Sequence, residues 1–335
     1  MLKLIILLIV GFIFLARGAD WLVDGSSKIA RWFGIPAIVV GLTIVAFGTS
    51  MPEFVVSFLA ALGGSSDLSL GNILGSNISN ILLILGLVAI ITTIKVQHST
   101  AWKEIPFSVL AVVLLGILAN DIFFQDAQTN VIGRGDGIIL LAFFALFIYY
   151  VVGVVRNKGS LSEKIEEARL ELHELTKKRH PIIWFAGKVV LGLILLIIGG
   201  QIVVIGATGI AEIFGLSEAL IGLTITAIGT SLPELAASIT AAYKKEADIA
   251  IGNIVGSNIF NILWVLGATA IVRPLTFSSV LNIDILLVFL ASIVLFGAIL
   301  FFGKRLQLGR GTGILFVVLY LIYILFLFAR EGVLF

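Results

Sequence analysis

Two segments of the chain occur twice, at the same spacing. GLTIVAFGTSMPE at 41–53 matches GLTITAIGTSLPE at 222–234 in ten of thirteen positions. GNILGSNISNIL at 71–82 matches GNIVGSNIFNIL at 252–263 in ten of twelve positions, and each pair is 181 residues apart. A spacing shared by two motifs indicates that one structural unit has been duplicated. Any fold of this chain must therefore accommodate two copies of that unit.

The solvent of this fold is predicted to be a lipid bilayer. Of the 335 residues, 59% are hydrophobic and 13% charged, whereas soluble domains carry about 25% charged residues. The apolar residues fall in runs long enough for membrane-spanning helices, which need about 20 residues each. The predicted spans are 2–31, 36–62, 68–92, 103–120, 134–156, 182–211, 218–243, 249–272, 280–302 and 311–330. The sequence thus predicts an all-α polytopic membrane protein of about ten transmembrane helices.

The charges in the connections orient these spans. Sixteen Lys and Arg residues fall in the connections of one side and four in those of the other. By the positive-inside rule, both termini lie outside and the segment 157–180 is cytoplasmic. The repeat spacing contains five spans, an odd number, so the two copies enter the membrane in opposite senses. We expect two inverted five-helix repeats, 1–156 and 181–335, joined by a linker helix at 157–180. Inverted repeats place the substrate site near the midplane.

Both copies carry a glutamate deep in apolar sequence, Glu53 and Glu234. A carboxylate inside a span costs about 2.5–3.5 kcal/mol on insertion scales. The four motif segments contain no Lys or Arg that would pair with it. A bound cation is the partner that we expect, and a protonated glutamate hydrogen-bonded to a neighbouring helix is the alternative.

A proline precedes each glutamate and is predicted to break the helix. Pro52 and Pro233 lack an N–H and clash with the carbonyl four residues back. The loosened helix lets backbone carbonyls turn inward, beside nearby hydroxyl groups. Such oxygens, with carboxylates, are the ligands that Ca²⁺ takes. The predicted ligands are the carbonyls of Ala46 and Ala227 and the hydroxyls of Thr49, Ser50, Thr230 and Ser231.

The second motif supplies further polar side chains. Ser76 and Asn80 are four residues apart and share a helix face, as do Ser257 and Asn261. Each pair faces the glutamate of its own copy or that of the other copy. The remaining asparagines of these motifs are expected only to tie helices together; they are Asn72, Asn77, Asn253 and Asn258.

Two further acids, Asp20 and Asp24, lie in the first predicted span. Arg17 precedes Asp20 by three residues and Lys28 follows Asp24 by four, which is the spacing of ion pairs on a helix surface. We interpret them as the polar end of this helix or as a cation entrance.

The two motif pairs, GTSMPE with GNILGSNISN and GTSLPE with GNIVGSNIFN, resemble the paired repeats of the sodium/calcium exchanger family. The resemblance implies a secondary active antiporter in the plasma or inner membrane that exchanges Na⁺ for Ca²⁺ by alternating access, with three Na⁺ exchanged for one Ca²⁺. It implies that the first and sixth helices slide as a gate over the remaining helices. Its metal ligands fall on Ala46, Thr49, Ser50, Glu53, Ser76, Asn80, Ala227, Thr230, Ser231, Glu234, Ser257 and Asn261. Many microbial relatives, and the potassium-dependent branch of the family, carry aspartate at the position of Asn261, so the asparagine disfavours potassium co-transport here.

Other functions are left open or excluded by the residues. Proton/calcium exchange or transport of another divalent cation retains the fold, but proton-coupled relatives have a glutamate where this chain has Gly75 and Gly256. A cation channel is the second alternative. We expect a monomer that binds Ca²⁺, Na⁺ and the lipid bilayer, with no cofactor and no nucleic acid. An enzyme is not expected, because neither a nucleophile–base constellation nor a cofactor fingerprint is present.

Overall fold

A computed structural model describes residues 1–125, 128–156, 182–214, 227–301 and 305–330. In chain order, the helices are α1 Leu2–Trp32, α2 Ala37–Thr49, α3 Met51–Leu62, α4 Ser66–Ile91, α5 Thr100–Leu118, α6 Asp121–Gln125, α7 Arg134–Arg156, α8 Ile182–Ile213, α9 Ala227–Thr230, α10 Leu232–Tyr243, α11 Ala247–Val272, α12 Asn282–Phe301 and α13 Arg310–Arg330.

The prediction of an all-α polytopic fold is confirmed. Within the described ranges, eight helices are long and apolar enough to cross a membrane, and the bent pair α2 and α3 makes a ninth candidate. The predicted span 218–243 lies partly outside the described residues, and the predicted linker helix 157–180 lies wholly outside them. The fourth span begins at Thr100 instead of residue 103, because a π-helical turn at Thr100–Glu104 precedes the helix.

Four short strands, which the sequence analysis did not predict, tie the ends of the helices together. They are β1 Ile94–Lys95, β2 Val131–Ile132, β3 Leu275–Thr276 and β4 Gln307–Leu308. β1 pairs antiparallel with β4, and β2 pairs antiparallel with β3. Each pair joins the strand after the GN-containing helix of one half to the strand before the last helix of the other half.

The two GN-containing helices form the centre of the molecule. About four-fifths of the most apolar window of each is buried, 78% in α4 and 83% in α11. The corresponding share is 17% in α7 and 22% in α13, whose exposed side chains are mainly Ile, Leu, Val and Phe. An apolar periphery around a polar centre is the arrangement expected in lipid.

Helices α1 and α8 pack antiparallel along almost their whole length. A Cβ built on Gly18 would lie 2.7 Å from the carbonyl oxygen of Gly192, and one on Gly11 would lie 3.0 Å from that of Gly199. Glycine recurs every seven residues on both faces, at 11, 18 and 25 and at 192, 199 and 206. Small residues at such spacing let helix backbones approach closely.

The last helix of each half packs on the other half. α13 packs against the end of α4, and α7 against the end of α11. Both contacts are made through glycines: a Cβ on Gly313 would lie 2.6 Å from the Gly86 carbonyl oxygen, and one on Gly137 would lie 2.7 Å from that of Gly267. Gly86 and Gly267 are related by the 181-residue spacing. The two contacts therefore have equivalent places in the two halves.

Candidate cation site

Both glutamate-bearing segments change direction at a serine. Ser50, between α2 and α3, has φ −81° and ψ 6°, and Ser231, between α9 and α10, has φ −86° and ψ 4°. α2 and α3 are bent by 44°. Pro52 and Pro233 account for both breaks, because each removes the N–H that would continue the helix. The predicted loosening at Gly-Thr-Ser is confirmed in both copies.

Helix α8 lies against both breaks. A Cβ on Gly48 would lie 2.3 Å from the Leu193 side chain, and one on Gly229 would lie 2.1 Å from the Val204 side chain. Gly48 and Gly229 are equivalent residues of the two copies. One helix thus contacts both broken segments at the same point of the motif.

Glu53 and Glu234 lie in the first turns of α3 and α10, and each is only 1% exposed. The free N–H groups at the start of a helix favour a negative charge nearby. Neither glutamate forms an ion pair with a Lys or Arg of the described ranges. Both acids point into the protein and neither has a cationic protein partner there.

Each glutamate accepts a hydrogen bond from the serine of the opposite half. Ser50 Oγ donates to Glu234 Oε1 at 3.1 Å, and Ser231 Oγ donates to Glu53 Oε1 at 3.4 Å. The 181-residue spacing relates the two bonds to each other. The carboxylates therefore lie together at the interface between the two halves.

The predicted serines of α4 and α11 lie beside this pair. Ser257 Oγ donates to Glu234 Oε1 at 3.5 Å, so Ser257 faces the glutamate of its own copy. Ser76 Oγ instead lies within hydrogen-bond distance of Ser231 Oγ of the other copy, at 3.4 Å. Ser76 thus connects α4 to the opposite break.

Asn80 and Asn261 lie one helical turn after Ser76 and Ser257, and each is 1% exposed. They lie in the π-helical segments Ser79–Ile84 and Phe260–Val265, a local geometry that is frequent at functional sites. Asn80 Nδ2 donates to Asn258 Oδ1 at 3.0 Å. Neither polar atom of the Asn261 amide has a hydrogen-bond partner.

Asn72 and Asn253 tie helices together, as expected, and also contact the site. Asn253 Nδ2 donates to the Glu234 backbone oxygen at 3.4 Å and to Ser238 Oγ at 3.0 Å. Asn72 Nδ2 donates equivalently to the Glu53 backbone oxygen at 3.3 Å and to Ser57 Oγ at 2.9 Å. The Asn77 side chain, expected to act likewise, has no hydrogen-bond partner.

The sequence analysis missed Ser57 and Ser238, because both lie just beyond the matched motifs. They are 181 residues apart, so extending the repeat spacing past the motif ends is the signal that would have found them.

The carbonyl of Ala46, one of the predicted ligands, has two donors nearby. Ser50 N donates to it at 3.0 Å, and Thr49 Oγ1 lies within hydrogen-bond distance at 3.5 Å. In the second copy, Ser231 N donates to the Ile228 carbonyl at 3.1 Å.

Four buried oxygens of the site have no hydrogen-bond donor: Glu53 Oε2, Glu234 Oε2, Asn80 Oδ1 and Asn261 Oδ1. Leaving such groups buried and unpaired costs about 1–3 kcal/mol each, and more when they are charged. Within the described ranges, no three Asp, Glu or His side chains converge, so two acids and neutral oxygens make up this site. That donor set suits a hard cation such as Ca²⁺ or Na⁺.

The acids of α1 lie in ion pairs at one end of the helix. Asp24 pairs with Lys28 at 2.7 Å, as expected, and also with Lys188 of α8 at 2.5 Å. The expected partnership of Asp20 with Arg17 is wrong: Asp20 pairs with Lys244 at 2.6 Å, because the turn after α10 packs beside α1.

Comparison with known proteins gives one consistent family. The family model described as sodium/calcium exchanger protein matches residues 3–153 and 184–329. CaxA of Alkalimonas amylolytica, which is named as an antiporter, is 40% identical over 330 residues, covering 98% of this chain and 100% of CaxA. The sodium/calcium exchanger MaX1 of Methanosarcina acetivorans is 27% identical, covering 96% and 98% of the two chains.

A solved structure supports the same likeness at the level of the fold. The sodium-calcium exchanger NCX_Mj superposes with a TM-score of 0.79 at 32% sequence identity, and the match covers 97% of this chain and 98% of NCX_Mj. The likeness therefore extends over both halves.

Proposed function

This chain belongs to the sodium/calcium exchanger family, and on that premise we propose that it is a secondary active antiporter that exchanges Na⁺ for Ca²⁺ by alternating access. The observation that carries the proposal is the pair of buried carboxylates, Glu53 and Glu234. Each has one oxygen hydrogen-bonded to the opposite half and one without a donor. Their formal charge of −2 balances one Ca²⁺ without a proton.

The proposed ligands are the oxygen-bearing residues of the two repeated motifs; Ser50, Ser231 and Ser257, which hydrogen-bond to the two carboxylates, support this assignment. In each half, four proposed ligands come from the broken segment and two come from the GN-containing helix, α4 or α11. Together they are Ala46, Thr49, Ser50, Glu53, Ser76, Asn80, Ala227, Thr230, Ser231, Glu234, Ser257 and Asn261. Ca²⁺ takes 6–8 oxygens at about 2.3–2.6 Å, a number that this set supplies with ligands left over for Na⁺.

Sodium is favoured over protons as the coupling ion by the residues of α4 and α11. In this proposal the charges of Glu53 and Glu234 balance one Ca²⁺, so proton coupling would call for a further acid in the site. Gly75 and Gly256 stand where proton-coupled relatives have glutamate. Proton/calcium exchange, or exchange of another divalent cation, is the second candidate.

The coupling ion is tested with purified protein in sealed vesicles. We expect uptake of radiolabelled Ca²⁺ when Na⁺ is loaded inside and diluted outside, and none with a pH gradient in Na⁺-free choline buffer. Uptake driven by the pH gradient alone would replace sodium with protons. Saturable uptake that stops without a counter-ion separates an antiporter from a cation channel.

The membrane orientation is proposed from the charge bias of the connections. Both termini lie outside and residues 157–180 inside, and the proposed ligands all come from one chain, as a monomer requires. Since the chain has no cysteine, single cysteines report orientation cleanly. Lys3→Cys should react with an impermeant maleimide on intact cells and Ser160→Cys only after lysis. The reverse pattern would overturn the proposed orientation.

A further inference from the structure

Asn72 and Asn253 each link three groups around the cation site. Both amide hydrogens of Asn253 are directed to its own half, to the Glu234 carbonyl and to Ser238 Oγ. Its amide oxygen accepts a hydrogen bond from Thr49 Oγ1 of the other half at 3.0 Å. Asn72 has the equivalent partners, including Thr230 Oγ1 at 3.3 Å from Asn72 Oδ1.

The two bonds of each amide nitrogen fix the orientation of the amide. A flipped Asn253 side chain would place its oxygen against the Glu234 carbonyl oxygen, which cannot donate a hydrogen bond. The oxygen of each amide is therefore held toward the threonine of the opposite half. Neither asparagine needs to touch a cation to act on the site.

A threonine hydroxyl has one hydrogen and two acceptor lone pairs. A cation between the carboxylates repels a hydrogen that points at it and attracts the lone pairs. The hydroxyl hydrogen therefore needs an acceptor that lies away from the cation. The amide oxygens of Asn253 and Asn72 are such acceptors, at 3.0 Å from Thr49 Oγ1 and 3.3 Å from Thr230 Oγ1. The Ala46 carbonyl, the other acceptor recorded for Thr49 Oγ1, is farther away, at 3.5 Å, and is itself a proposed cation ligand.

We propose that Asn72 and Asn253 are positioning residues, each of which turns the hydroxyl of the opposite half's threonine so that its oxygen faces the cation. This inference rests on the proposed function of the site. Asn253 has the larger effect of the two, because its contact with Thr49 is shorter and Thr49 is fully buried, whereas Thr230 is 8% exposed.

A double-mutant cycle between Asn253 and Thr49 tests the proposal. Two groups that act through one interaction give non-additive effects, and independent groups give additive ones. Calcium affinity is measured by calorimetry on purified protein in Na⁺-free choline buffer, so that the result does not depend on the coupling ion. We expect Asn253→Ala to weaken Ca²⁺ binding about tenfold, since the hydrogen bond that orients the Thr49 hydroxyl is lost.

In a Thr49→Val background, which lacks the hydroxyl, Asn253→Ala should weaken binding by less than about twofold. In a Thr49→Ser background, which keeps the hydroxyl, the loss of about tenfold should return. The matched control pairs Asn253→Ala with Thr230→Val, because the Thr230 hydroxyl donates to Asn72, and should give additive losses. If Asn253→Ala does not fold, the half-buried Asn72 with Thr230 provides the same cycle.

Equal losses in the wild-type and Thr49→Val backgrounds would overturn the positioning role, as would unchanged affinity in Asn253→Ala. Either result leaves the proposed antiporter standing. Failure of the wild-type protein to bind Ca²⁺ at all would instead remove both proposals. A non-additive cycle in a protein that shows no Na⁺-driven flux would keep the positioning role and reject sodium as the coupling ion.

Discussion

Glu53 and Glu234 are placed by the prolines that precede them. Because Pro52 and Pro233 lack N–H groups, the helix stops and restarts, and each glutamate falls in the first turn of the new helix. The favourable effect of a helix N-terminus on a carboxylate is about 0.3–1 kcal/mol. Burial of the carboxylate costs about 2.5–3.5 kcal/mol. The cost of burying each carboxylate exceeds the effect of the helix N-terminus, and a bound cation would offset the remainder.

Replacing either glutamate by its neutral isostere should therefore abolish transport. In Glu53→Gln and Glu234→Gln we expect Ca²⁺ flux to fall about 100-fold or more, because the buried cation would lose one of its two carboxylate partners. Flux is measured in vesicles, and thermal unfolding in detergent checks that the protein still folds.

Glu212→Gln is the matched control, since Glu212 lies exposed near the end of α8. It should exchange calcium at the wild-type rate. Wild-type exchange in either site variant would reject the carboxylate pair as the cation site.

Asn261 and Asn80 are equivalent in sequence but not in their hydrogen bonds. The Asn261 amide has no partner, whereas Asn80 Nδ2 donates to Asn258. Asn261→Asp should raise Ca²⁺ affinity about tenfold or more, because a further negative charge near the cation attracts it. Calcium binding should also become more sensitive to acid, since three close carboxylates resist full ionisation.

The matched variant Asn80→Asp loses the hydrogen bond to Asn258 and should gain less affinity and unfold at lower temperature. Calorimetry at two pH values and a thermal scan distinguish the two variants. Unchanged affinity and pH dependence in Asn261→Asp would place Asn261 away from the cation.

At the scale of the helices, the contact of α1 with α8 depends on the absence of side chains. In Gly18→Ala the added Cβ would meet the Gly192 carbonyl oxygen at 2.7 Å and the Leu196 nitrogen at 2.8 Å. Both are backbone atoms, so the helices must move apart. Overpacking of this kind costs about 1–3 kcal/mol, and we expect a lower temperature of unfolding in detergent.

Gly187→Ala, on the partner helix α8, is the control, because its Cβ would meet no described atom within 4 Å. This variant should be neutral or slightly stabilising, since Ala is favoured over Gly in helices by about 0.8–1.0 kcal/mol. Equal unfolding temperatures of Gly18→Ala and wild type would mean that α1 and α8 are not in close contact.

The sequence predicted the helical fold and singled out the two buried acids, but it did not predict which residues hydrogen-bond to which across the two halves. Glu53 and Glu234 stand out because acids are costly in apolar sequence, and the prolines mark the breaks. Ser50 donates to Glu234 and not to Glu53 because of how the two halves pack against each other. No local sequence pattern records that packing. The Asp20–Lys244 pair was missed for the same reason, since spacing along one helix says nothing of charges on its neighbours.

On the scale of the whole molecule, neither half is complete without the other. α13 packs on α4 and α7 on α11, and each carboxylate takes its serine donor from the opposite half. We expect fragments 1–156 and 181–335 to bind no Ca²⁺ when produced separately and to restore Na⁺-driven Ca²⁺ flux when co-expressed. Co-purification of a tagged fragment with its partner, followed by vesicle flux, measures this. Calcium binding by one fragment alone would contradict it.

Because the last helix of each half packs on the GN-containing helix of the other half, the structure also limits how such a chain could have evolved. A gene that encoded one unit alone would produce a polypeptide whose GN-containing helix lacks the helix that covers it and which carries half of the cation site. Such a polypeptide would form the site only if copies inserted in both orientations and paired about a two-fold axis in the plane of the bilayer. Fusion of two such genes would guarantee equal numbers of the two orientations and would let each copy diverge at positions such as Asn80 and Asn261.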